Sequence, residues 1–148
     1  MCGINGILSS SGVDGLQHKI TAMNKILKHR GPDDQGLWIS DCKRVTFGHT
    51  RLSIIDTTSS GHQPMSSSSG RYVITYNGEI YNFRELQKIY NIKCLGNSDT
   101  EVLLELIQKI GLKETLKIID GMFAFALWDK QNQTLNIHVF LYKLNRTQ

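Results

Sequence analysis

Apolar residues fall along this chain at two spacings, and the switches between them outline the elements. Ile4, Ile7 and Leu8 lie in a short, glycine-punctuated stretch that suits a buried strand over residues 3–8. Leu16, Ile20, Met23 and Leu27 then recur as one face of a helix, which the Gly31-Pro32 pair stops. Residues 37–40 and 44–48 read as two strands joined across Asp41-Cys42-Lys43, a hairpin, with the apolar stretch 52–55 behind it. Residues 57–70, rich in Ser, Thr and Gly, read as a surface loop. A strand over 72–76 runs into Asn77-Gly78, a dipeptide that signals a tight turn, and Asn82 is placed to cap a short helix through Gln87. Ser98-Asp99-Thr100-Glu101 has the spacing of a capping box ahead of Leu103, Leu106, Ile107 and Ile110. Gly111 closes that helix, and 113–119 offers another. The apolar run 122–128 suits a buried strand that turns back at 129–133 into 134–140. The order predicts an α+β fold of antiparallel sheets with helical layers.

Composition changes this picture little. With 40% hydrophobic and 20% charged residues over 148 positions, the chain reads as one globular domain spanning 1–148. The net charge of +4 comes from scattered Lys and Arg without a basic run, so no nucleic-acid partner is expected. No apolar stretch approaches membrane-spanning length, and the N-terminus lacks the basic start of a secretory signal. The three cysteines, Cys2, Cys42 and Cys94, show no metal-ligand spacing, so no metal site is expected. Together these features predict a cytoplasmic protein with no partner in the membrane.

Cys2 carries the most chemistry. A thiol attacks an amide as its thiolate, and its ordinary pKa of about 8.5 calls for a neighbouring base. If Met1 is trimmed, the α-amino group of Cys2, with an ordinary pKa of about 8, is that base. It can take the thiol proton, deliver it to departing ammonia and then activate water. Alone, a cysteine at position 2 is as readily a small core residue.

The remaining motifs decide between these readings. Met1-Cys2-Gly3-Ile4, His29-Arg30-Gly31-Pro32-Asp33, Gly48-His49-Thr50-Arg51-Leu52-Ser53-Ile54-Ile55-Asp56, Gly61-His62-Gln63-Pro64-Met65, Tyr76-Asn77-Gly78-Glu79-Ile80-Tyr81-Asn82, Ser98-Asp99-Thr100-Glu101 and Asp120-Gly121-Met122-Phe123-Ala124 occur in order. The ensemble resembles the N-terminal class II glutamine amidotransferase domain of glutamine-hydrolysing asparagine synthetases, from residue 1 to about 135. The resemblance implies an N-terminal nucleophile hydrolase fold, a four-layer αββα sandwich of two antiparallel sheets. It implies hydrolysis of glutamine to glutamate and ammonia, the glutaminase half-reaction of asparagine biosynthesis, with Cys2 as nucleophile.

By the same resemblance, the Asn77 side-chain amide and the Gly78 N–H would receive the oxygen of the tetrahedral intermediate. Arg51 would bind the α-carboxylate of glutamine, and Asp99 with Glu79 the α-ammonium. Leu52, Ser53, Ile54 and Ile55 would line the pocket. Outside the family context, Asn77-Gly78 reads as a turn, Arg51 as a surface residue and Asp99 as a helix cap. His29, Arg30, Asp33, His49 and His62 receive structural hydrogen bonding, and Cys42 and Cys94 receive packing.

From about residue 136 the sequence departs from the family. The Arg-Asp-Arg-x-Gly-x-Lys-Pro-Leu-Tyr-Tyr stretch and the synthetase domain that follow in the family do not occur, so the last family strands are expected to be missing. No cofactor is expected here, since ATP and Mg would belong to the synthetase domain. The expected partners are glutamine and either a separate synthetase domain or a second copy of the chain. Two alternatives stand beside this: a fragment that binds glutamine or a partner without turnover, and an amidotransferase domain of amino-sugar or purine synthesis.

Overall fold

The computed structural model describes residues 2–12, 14–54 and 58–140. The readings that concern Met1, Ile55, Asp56 and the tail past residue 140 lie outside the described residues.

The elements are, in order, β1 (Gly3–Leu8), α1 (Leu16–Leu27), β2 (Asp34–Ile39), β3 (Val45–Arg51), β4 (Met65–Ser66), β5 (Tyr72–Ile80), α2 (Phe83–Ile89), α3 (Asp99–Ile110), α4 (Leu112–Ile118), β6 (Gly121–Asp129) and β7 (Thr134–Phe140). They form two antiparallel sheets, one ordered β1-β3-β2 and the other β4-β5-β6-β7. Helix α1 lies on the smaller sheet, β1 and β3 face β5 of the larger one, and α3 covers the far side of β5. The predicted αββα sandwich of two antiparallel sheets is thus present.

Alternation along β5 assigns residues to the two cores. Tyr72, Ile74 and Tyr76 join Phe123, Phe125 and Leu127 of β6 against Leu103, Leu106 and Ile107 of α3. Val73, on the opposite face, packs with Val45, Phe47 and Trp128 between the sheets. Thr75 follows Val73 on that face and donates its hydroxyl to the Gly48 carbonyl across the gap (3.2 Å). The next residue on the same face is Asn77, which the alternation turns towards the smaller sheet.

Several local expectations hold in the structure. The Ser98 hydroxyl accepts the Glu101 N–H (3.2 Å) at the start of α3, and Gly111 ends that helix at a φ of 84°. The return half of the box differs, because the Glu101 carboxylate accepts the N–H groups of Leu95 (2.7 Å) and Gly96 (2.9 Å) in the preceding loop.

Other readings need correction. Asn77-Gly78 makes no turn: β5 runs through it and stays paired with β6 from Tyr72↔Asp129 to Ile80↔Gly121. Nine consecutive pairings override a two-residue propensity. Asn82 stands at the head of α2 without capping it, and its side chain instead bonds the Ile118 carbonyl and the Asp120 N–H. Residues 57–70 contain the short strand β4, and β3 extends past Gly48 to Arg51. Cys42 is exposed on the β2–β3 hairpin rather than packed.

Candidate active site

Register determines where Cys2 stands. Gly3 of β1 pairs with Thr50 of β3, so the residue before β1 meets the residues that leave β3. The Leu52 N–H points at the Cys2 sulfur (3.4 Å), and the thiol lies 3.7 Å from the Leu52 carbonyl. Arg30 braces the same residue from the other side by donating its Nε–H to the Cys2 carbonyl (3.4 Å). A side chain at Gly3 would sit 2.6 Å from the Thr50 hydroxyl, so glycine keeps this start of β1 tight against β3.

The thiol opens into a cleft of about 540 Å³, a volume suited to a small molecule. Cys2, Arg51, Leu52, Ile54, Asn77, Gly78, Glu79 and Asp99 all line it. Ser53 does not; its N–H is bound by the Asp33 carboxylate (2.8 Å) beside the cleft. Sequence reasoning missed Tyr76, Gln63, Met122 and Val139, which also contribute to the walls. The period-two alternation of β5 could have singled out Tyr76; Gln63 is marked only by its place in the Gly61-His62-Gln63-Pro64-Met65 motif.

Cys42 and Cys94 do not compete with Cys2 for this cleft. Burial, with Glu101 and Glu105 nearby, pushes the Cys94 thiol up to about 11, so it is protonated at neutral pH. Cys42 points its thiol at the Ser40 hydroxyl on the distant hairpin, which pulls its pKa down.

Arg51, at the end of β3, is buried, and its Nη1 donates to the Thr58 carbonyl (2.8 Å). A side-chain carbon at Gly61 would fall only 2.0 Å from the Arg51 guanidinium, so glycine makes room for the planar fork. Asp99, at the first turn of α3, is 4% exposed. Its Oδ2 accepts the Tyr76 hydroxyl (2.9 Å) and the Ile80 N–H (2.9 Å), while Oδ1 accepts the Thr100 N–H (2.9 Å). Burial pushes the Asp99 carboxyl above the usual carboxylate range, against the pull of these donors. Helix capping is the work of Ser98, which leaves Asp99 to join α3 to β5. The buried Tyr76 hydroxyl, next to that carboxylate, has its pKa driven far up and stays a donor.

The two edges of β5 differ. On the β6 side, backbone pairing runs the length of the strand. On the other side β4 pairs only at Met65↔Ile74 and Ser66↔Val73. Beyond it, side chains take over: Gln63 Oε1 accepts the Tyr76 N–H (2.7 Å), His49 Nε2 lies 3.1 Å from the Tyr76 carbonyl, and Asp99 accepts the Ile80 N–H. Since alternate residues of a strand direct their N–H groups to the same side, Gly78, midway between Tyr76 and Ile80, directs its own N–H there too. A side-chain carbon at Gly78 would come within 2.4 Å of the Met122 carbonyl and 2.5 Å of Phe123 Cα, so only glycine allows β6 this near.

The flanking histidines and acids of the motifs have structural partners. His29 bonds the Ile26 carbonyl (2.9 Å), and His62 meets the Asp34 carboxylate (2.6 Å). Among the described residues, no group of three or more His, Cys, Asp or Glu side chains could hold a metal ion. No helix among them is long and apolar enough to cross a membrane.

Comparison with known proteins identifies relatives of the chain. The chain is 40% identical over 147 residues to a protein named putative asparagine synthetase [glutamine-hydrolyzing] 2 from Methanocaldococcus jannaschii, covering 88% of this chain and 28% of that protein. It is 38% identical over 135 residues to asparagine synthetase B [glutamine-hydrolyzing] of Escherichia coli, covering 88% and 24%. To a protein named amidase chry2 from Gibberella zeae it is 35% identical over 147 residues, covering 91% and 22%. The chain thus spans about a quarter of the length of these relatives. Residues 1–139 match the glutamine amidotransferase domain, and the chain belongs to that family.

Proposed function

We propose that Cys2, exposed as the N-terminal residue by removal of Met1, hydrolyses the side-chain amide of free glutamine. The observation that carries this reading is the position of the Cys2 sulfur in a cleft whose walls include Arg51, Asp99, Asn77 and Gly78. Arg51 supplies a planar cation for the α-carboxylate, and Asp99 with Glu79 supplies negative charge for the α-ammonium.

The α-amino group takes the thiol proton, and the thiolate adds to the amide carbon to form a tetrahedral intermediate. Its oxyanion is met by the Asn77 side-chain amide and the Gly78 N–H. Collapse expels ammonia, which leaves with the proton held by the amine, and a γ-glutamyl thioester remains. Water, deprotonated by the same amine, attacks the thioester; glutamate departs and the thiol is restored. These steps use the thiol, the amine and water alone. By likeness to the relatives named asparagine synthetase, the ammonia feeds asparagine biosynthesis through a synthetase domain.

The purified chain should release ammonia and glutamate in equal amounts, and Cys2→Ala should release neither. Ammonia release by Cys2→Ala, or by a parent chain that retains Met1, contradicts the mechanism. Glutamine binding without release in the parent chain would favour a non-catalytic binding role.

A further inference from the structure

We propose that His49 and Gln63 are positioning residues that hold the Tyr76 backbone by its carbonyl and its N–H along one edge of β5 and thereby aim the Gly78 N–H and the Asn77 side chain at the reacting carbonyl. The proposal rests on the hydrolysis reading above and adds two residues that do not meet the substrate's reacting atoms.

The inference starts from an accounting of backbone groups. Where β4 stops, β5 would present buried N–H and C=O groups with no strand to receive them, and each such orphan is costly. For Tyr76 both groups are recovered by side chains: Gln63 Oε1 takes the N–H, and the carbonyl is approached by His49 Nε2. A carbonyl can only accept, so Nε2 carries the hydrogen, and the neutral ring then leaves Nδ1 as its bare nitrogen. Nδ1 is indeed buried with no partner. His49 is 1% exposed and Gln63 6% exposed, a heavy outlay for two polar side chains whose clearest shared target is the backbone of one residue.

The location of that residue is informative. It lies immediately before Asn77-Gly78, on the strand edge to which Gly78 directs its N–H. Two anchors of different origin hold it: His49 comes from β3, the strand that also delivers Arg51, and Gln63 comes from the segment leading into β4. Gln63 also reaches the Thr100 hydroxyl (3.4 Å) beside Asp99. One pair of side chains therefore ties together the strand carrying the carboxylate clamp, the helix carrying the ammonium clamp and the strand carrying the oxyanion donors. A donor fixed in advance stabilises a developing charge without reorganising, and small displacements erase that gain.

The test uses the full chain with His49→Leu and Gln63→Met, which preserve bulk but remove the donor and the acceptor, and His49→Gln, which restores a donor. For glutamine hydrolysis, kcat should fall about 10- to 100-fold in the first two with KM changed less than about 3-fold, and His49→Gln should recover part of the loss. The rate at which iodoacetamide alkylates Cys2, which needs no oxyanion donor, should stay at the parental value. Exchange of the Tyr76 amide hydrogen, followed by nuclear magnetic resonance, should accelerate more than about 10-fold in Gln63→Met. A kcat at the parental value in folded Gln63→Met, a loss matched by an equal loss of alkylation, or an unchanged Tyr76 amide would overturn the proposal. If His49→Leu fails to fold, Gln63→Met decides alone. If the parent chain releases no ammonia, the hydrolysis reading fails by itself and the amide exchange still decides the clamp.

Discussion

The two edges of β5 meet the same requirement by different means. Against β6, the strand is paired without a break from Tyr72 to Ile80, backed by Phe123, Phe125 and Leu127 in the core. On the β4 side, pairing ends after Ile74, and single side chains from Gln63, His49 and Asp99 serve the remaining groups individually. The regular edge supplies rigidity. The irregular edge can leave one chosen N–H, that of Gly78, for a ligand, which a paired strand could not do.

This contrast can be broken from either side. The largest effect is expected on the regular edge: Phe125→Ala removes a fully buried ring and should lower stability by about 3 to 5 kcal/mol in denaturant titration. Provided the chain remains folded, its kcat should be nearly parental. Asn77→Ala should do the reverse, leaving stability within about 1 kcal/mol but lowering kcat by about 10²- to 10³-fold in an ammonia-release assay.

The third effect is pH-dependent and belongs to the irregular edge. Burial lowers the His49 pKa from 6.5 to about 4, with the Tyr76 carbonyl and Asp34 opposing the shift and His62 and Arg51 adding to it. Between these values the unfolded chain binds a proton at residue 49 that the folded chain refuses. Stability from this group is therefore complete above 6.5 and is lost as pH falls towards about 4, by on the order of 3 kcal/mol. Asp99, whose pKa is raised on folding, contributes a slope of opposite sign. The comparison of parent with His49→Leu cancels Asp99, and the variant should show a flatter acid limb in denaturant titrations across this window.

Much of this arrangement is legible in the sequence, for identifiable reasons. The capping residues of α3 and the apolar periods of α1, α3 and β6 are local signals and appear where the sequence predicts them. The cleft residues Cys2, Arg51, Asn77 and Asp99 are separated by up to 97 positions (99 − 2) and are found through motif resemblance, because no local pattern brings them together. Asn77-Gly78 misleads because its turn propensity is local, whereas pairing with β6 is a long-range contact from more than forty positions further on. Gln63 receives no role in the sequence because its task, accepting an N–H from a strand that has lost its neighbour, exists only once β4 is known to begin no earlier than Met65. Arg30 and Asp33 receive structural hydrogen bonding in the sequence reading, and both brace the cleft by bonding Cys2 and Ser53.

All of the proposed chemistry depends on one covalent species at residue 2. Rapid acid quench of the chain during glutamine turnover, followed by intact and peptide mass spectrometry, examines it directly. The account predicts a first peptide that begins at Cys2, with a fraction carrying one γ-glutamyl group on the sulfur that vanishes in Cys2→Ala. Ammonia release at full rate from chains that all begin at Met1, or a γ-glutamyl group on any other residue, would contradict it.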